Sequence, residues 1–126
     1  MNILVVIAPL SFAALAGLYA CVAWKARTGT LPQGSALGVR HRELEADEEK
    51  WRLGHFAAWP ILAMAALVSA FHAIASFIAG VLMGEDGRNF LTILVVAGIV
   101  VVIALRFLAS SAAVHTVRRM EQGQND

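Results

Sequence analysis

Three long stretches of this chain carry almost no charge, and that patterning constrains the fold more than any motif does. Ile3 to Trp24 has no charged residue, and its polar members are Ser11, Tyr19 and Cys21. Phe56 to Met83 is also uncharged, with Ser69, His72 and Ser76 as its clearly polar members. Phe90 to Val114 is broken by one charge, Arg106. Crossing about 30 Å of hydrocarbon takes roughly 20 apolar residues in a helix, and each block is long enough. Lipid offers the backbone no hydrogen-bond partner, so each block is expected to be helical. The alternative, three buried helices of a water-soluble protein, fits poorly with 15% charged residues in a 126-residue chain. A soluble domain carries about a quarter. The expected fold class is an all-α membrane protein. It is one membrane domain over 1–126, with spans near 3–24, 56–83 and 90–114, a loop at 25–55 and a basic tail at 115–126.

Orientation follows from the basic residues. Eight of the ten Lys and Arg lie in the first loop or the tail: Lys25, Arg27, Arg40, Arg42, Lys50, Arg52, Arg118 and Arg119. The short turn from Gly84 to Asn89 has only Arg88. With three spans, loop and tail share a side, and the positive-inside rule makes that side cytoplasmic and the N-terminus external. No Lys or Arg precedes Lys25, so the first span reads as a retained anchor rather than a cleaved signal peptide. Cys21 reads as a free thiol within the membrane.

Helices in lipid associate through small residues that let backbones approach. Three rows at four-residue spacing are candidates: Ala13, Gly17 and Cys21 on the first span, and Ala65, Ser69 and Ala73, or Ser76, Gly80 and Gly84, on the second.

The loop holds the remaining information. Thr28 to Ser35 carries Gly, Pro and small polar residues and reads as irregular chain. From Asp47 the pattern becomes helical: Asp47 is suited to accept a hydrogen bond from a helix-start amide, and Glu48 and Glu49 suit a first turn. Such a helix is expected to run through Trp51 and His55 into the second span. Leu44 joins their stripe if the helix starts early enough. Trp51 and Trp59 suit the membrane boundary, and Pro60 suits the first turn of the span or a bend.

Gly38-Val39-Arg40, Trp51 thirteen residues after the glycine and His55 four residues later together resemble the signature of the SdpI-like immunity-protein family. Glu49 matches a position that is commonly acidic there. The resemblance covers about residues 32 to 80; His41 and Leu44 stand where the family carries Thr. It implies a multi-pass protein of the bacterial plasma membrane. Such a protein confers immunity to a secreted toxin, or signals by holding a transcriptional repressor at the membrane. Gly38, Arg40, Glu49, Trp51 and His55 would form the partner-binding element, with the glycine allowing a backbone turn.

Taken singly, these residues also have plain structural readings. Arg40 is expected to pair with Glu48 or Glu49 and order the loop, the alternative being a lipid headgroup or partner carboxylate. Trp51 is expected to anchor at the boundary, and His55 to hydrogen-bond there rather than sense protons. His72, deep in the second span with Ser69 and Ser76 on its face, is expected to bond a neighbouring helix; the sharper alternative is a proton or ion route. Arg106 is expected to extend toward the headgroups, with a specific pairing to the loop as the alternative.

No nucleophile motif, phosphate loop, dinucleotide fingerprint or metal-ligand spacing appears, so neither an enzyme nor a bound cofactor is expected. A net charge of +1 gives no reason to expect direct nucleic-acid binding. The expected partners are the bilayer and another protein, with a homo-oligomer possible. Two other function classes compete with immunity or signalling. One is an accessory subunit of a larger membrane complex, and the other is a small oligomeric transporter lined by His72 and Arg106.

Overall fold

The computed structural model describes residues 3–36 and 38–125, and among them every regular element is helical. Helix α1 runs Leu4–Thr28, the short α2 Arg42–Glu45, α3 Glu48–Phe77 and α4 Arg88–Asn125. A π-helical turn over Ile78–Leu82 and a 3-10 turn over Gly84–Gly87 join α3 to α4. Three of these helical segments are long and apolar enough to cross a membrane.

Local chemistry accounts for most of the boundaries. α1 stops at Gly29, whose φ of 73° lies in the left-handed region that only glycine enters without strain. Asp47 caps α3, its side chain accepting the Glu49 N–H at 3.0 Å, with Glu48 and Glu49 in the first turn. From there a single helix passes Trp51 and His55 into the apolar block. Pro60 therefore sits in the interior of α3, not in a first turn. His41 accepts the Glu43 N–H through Nδ1 at 3.2 Å and so caps α2. Leu44 does not share the α3 helix, because the chain breaks at Ala46 and Asp47, yet it is fully buried. The tail continues α4 as helix through Arg118 and Arg119.

α3 lies between α1 and α4, which hardly meet each other. Its buried face runs Trp51, Gly54, His55, Ala58, Leu62, Ala65, Ser69, His72 and Ser76. The α3 rows of small residues lie largely on this face: Ala65, Ser69 and Ser76 are buried, and a Cβ on Gly80 would lie 3.0 Å from Val5. The α1 row does not. Ala13 and Cys21 are exposed, and a Cβ on Gly17 would meet nothing within 4 Å. The outer faces carry Leu67, Phe71, Ile93, Val100 and Phe107, the last 72% exposed, which is the surface a hydrocarbon solvent requires.

The larger core cluster sits at the loop end. It joins Val22 and Ala26 of α1, Trp51, Ala58 and Leu62 of α3, and Ala109, Ala113 and Val117 of α4 to Leu31, Val39 and Leu44 of the loop. The loop thus folds back as a cap over the helix ends.

Candidate functional site, a loop cap locked onto the helix ends

Trp51 and His55 are one turn apart on α3 and both point into the cap. Their rings lie 4.2 Å apart, and Trp51 is only 2% exposed. The Trp51 indole N–H donates to the Leu31 carbonyl at 3.0 Å. An indole at a membrane boundary normally keeps its polar end wet. Here that end is satisfied inside the protein, so Trp51 is a core residue and not a boundary anchor.

His55 uses both ring nitrogens. The Val39 N–H donates to Nε2 at 2.8 Å, so Nε2 is an acceptor and carries no proton. Nδ1 must then hold the proton and donate it to the Trp51 carbonyl, 2.8 Å away. The two bonds define one tautomer of neutral imidazole. Protonating Nε2 would set a donor against the Val39 donor.

Gly38 is held by what surrounds it. A Cβ there would lie 2.7 Å from His55 Nε2 and 2.8 Å from Trp51 Cζ2, closer than side chains approach. The position takes glycine for want of room. The chain does bend at Gly38, as expected from the sequence, with the Gly38 N–H donating to the Ser35 carbonyl at 3.2 Å. The Gly38 carbonyl accepts from Arg106 Nη2 at 2.7 Å. Arg106 therefore makes the specific loop contact and does not simply extend to the headgroups. Three bonds consequently converge on the Gly38–Val39 segment and on Leu31, from α3 on one side and α4 on the other.

Two of the motif residues lie outside this lock. Arg40 is an exposed side chain that pairs with Glu45 at 3.3 Å, not with Glu48 or Glu49. Glu49 is exposed at the start of α3. The structure thus brings Gly38, Trp51, His55 and Arg106 together and leaves Arg40 and Glu49 on the outer face of the cap.

His72 belongs to a different level. Its Nδ1 lies 2.9 Å from the Val68 carbonyl of its own helix, so the bond to a neighbouring helix expected from the sequence is not what holds it. The ring sits 5.3 Å from Phe12 of α1, and a Cβ on Gly98 of α4 would come within 2.8 Å of it. Gly98 precedes Arg106 by eight residues, about 12 Å of helix. His72 and Arg106 thus lie at different levels of the helix bundle.

Several residues of the cap were not singled out in the sequence. Arg118 makes a two-pronged contact to Glu43, with Nε at 3.1 Å and Nη2 at 2.9 Å. The Arg118 guanidinium beside it holds the Glu43 carboxyl below the usual carboxylate range. Lys50 pairs with Glu121, and Gln33 Nε2 donates to the Glu45 carbonyl at 2.7 Å. These partners are far apart in sequence, and no local pattern announces them. Gly54 did leave a signal, being a glycine inside a helical stretch. A Cβ there would lie 2.5 Å from Leu44 Cδ2 and 3.5 Å from Ala113, so its absence admits α2 and α4 together.

Among the described residues, no group of three His, Cys, Asp or Glu side chains is placed to hold a metal ion. Comparison with family models, curated proteins and solved structures finds no match to this chain.

Proposed function

We propose that this chain is a non-enzymatic, multi-pass protein of the bacterial plasma membrane that acts by binding another protein through its loop cap. The reading takes the SdpI-like resemblance at its word: the partner of the cap is a cytoplasmic protein such as a transcriptional repressor, a secreted toxin is met by the spans themselves, and the output is immunity or membrane-linked signalling. In the proposed orientation the N-terminus is external and the cap is cytoplasmic. The observation that carries the reading is the division of labour within the motif. Gly38, Trp51 and His55 spend their polar atoms and packing surface on a rigid mount, together with Arg106. Arg40 and Glu49 stand outside that mount, exposed to solvent. A loop fixed in one conformation loses little entropy when a partner docks, which is how a small surface binds tightly.

The test is genetic. Deleting the gene should sensitise cells to a membrane-active factor in the medium of the parent strain. Wild-type protein should restore protection, while Arg40→Ala should insert normally and fail to restore it. A deletion strain as resistant as its parent, or full protection by Arg40→Ala, would count against the proposal.

A further inference from the structure

Between α1 and α3 runs an open apolar groove of about 590 Å³. Its walls are mostly small residues, among them Gly17 and Ala20 on α1 and Ala63 and Ala70 on α3. Toward the loop end the character changes abruptly: the groove finishes at Trp59 and Arg27. The Arg27 guanidinium lies over the Trp59 ring, 5.0 Å from its centroid. A second, smaller hollow of about 280 Å³ continues past Arg27 and is lined on its far side by Arg52. The Arg52 stem lies against Gly29 at the end of α1, where a Cβ would be 3.3 Å from it. Among the described residues, neither arginine has a carboxylate partner.

We infer that this groove is a binding site for one anionic phospholipid, with an acyl chain along the small-residue walls and the phosphate between Arg27 and Arg52. The chemistry selects the occupant. A slot from Ala16 to Trp24 along α1 is about 12 Å long, enough for the upper part of an acyl chain. Two guanidiniums at its end meet the depth at which phosphates lie, and arginine recognises phosphate with a planar fork of donors. A choline headgroup would bring its own cation against the two arginines, whereas a glycerol headgroup leaves the lipid anionic. Stacking on Trp59 holds Arg27 at the groove mouth before any lipid arrives, which reduces the ordering cost of binding. The inference requires only that α1 and α3 lie in lipid. It is independent of which protein the cap binds.

Native mass spectrometry of the full chain, taken from vesicles of equal phosphatidylglycerol and phosphatidylcholine, tests it. Wild type should retain one phosphatidylglycerol in clear preference to phosphatidylcholine. A basic residue near an anionic membrane surface contributes about 1 kcal/mol, so Arg27→Gln and Arg52→Gln should each reduce that preference about fivefold. Arg27→Lys should preserve much of it. Ala20→Leu, at an exposed position that threatens no packing, should block the slot and lower retention of the lipid with both arginines intact. Equal retention of the two lipids by wild type, an unchanged preference in both Arg→Gln variants, or a second copy of the chain seated in the groove in place of lipid would overturn the inference.

Discussion

Gly38 and His55 show how a single atom decides tolerance at the loop end. A methyl group on Gly38 would displace both rings and open the Val39 N–H to Nε2 bond. Truncating His55 would leave that amide buried without an acceptor, and an unmet buried donor costs about 1–3 kcal/mol. Gly38→Ala and His55→Ala are each expected to destabilise the protein by about that amount, measured as unfolding in mixed micelles. Glu49→Ala, on the exposed side of the same motif, should change stability by less than about 0.5 kcal/mol. Gly38, Trp51 and His55 were expected as a set only from a family resemblance, and the structure brings them together. The sequence did not show that Gly38 is required for lack of space, because the two rings that exclude a side chain arrive from α3. His41 and Leu44 also acquire a reason here: His41 caps α2, and Leu44 fills the space that Gly54 leaves.

At the scale of elements, α2 is the most exposed to conditions. It has a single turn of its own and is held by Leu44 beneath and by the Glu43–Arg118 contact above. Because the Glu43 carboxyl lies below its ordinary value in the folded protein, that contact is fully present above the unfolded value of about 4.5 and weakens as pH falls through the folded one. Hydrogen exchange of the α2 amides, corrected for intrinsic rates, should therefore speed up as pH falls below the ordinary Glu value of 4.5 while α3 stays protected. Arg118→Gln should show the faster exchange already at neutral pH and lose the acid step. An α2 whose protection is the same at both pH values would remove the role assigned to the tail. α3 illustrates the converse. Its start at Asp47 is local chemistry and was legible, as was its continuation into the apolar block. The break that separates α2 from it was not, because Arg42 to Glu45 alone carries no signal for ending a helix.

On the scale of the molecule, one long helix flanked by two others leaves wide apolar faces that only lipid or another chain can cover. The same arrangement sets the cap at one end and the short Gly84–Gly87 turn at the other. The proposed orientation makes a direct statement about these two ends. On a Cys21→Ser background, a membrane-impermeant maleimide should label Asp86→Cys in intact cells and Arg40→Cys only after permeabilisation. The opposite pattern would invert the orientation and remove the cytoplasmic partner with it. The α1 row of Ala13, Gly17 and Cys21 belongs to this scale too: all three are exposed, and Gly17 borders the open groove beside α3. The spacing of the row matched a helix contact, but helix spacing identifies a face and not what that face meets.

What the sequence determined by itself was the choice of solvent and the local starts and stops of helices. Both depend on windows of residues contiguous in the chain: about 20 apolar positions to cross hydrocarbon, and one side chain to cap an amide. Only the tertiary structure decided which groups meet across long separations. Arg106 reaches the Gly38 carbonyl over 68 residues and Arg118 reaches Glu43 over 75, and each contact exists because α3 brings the loop beside α4. A hydrogen bond acts over about 3 Å. Its partners are therefore fixed by how the helices pack, and a linear pattern carries that information only where the packing happens to be local.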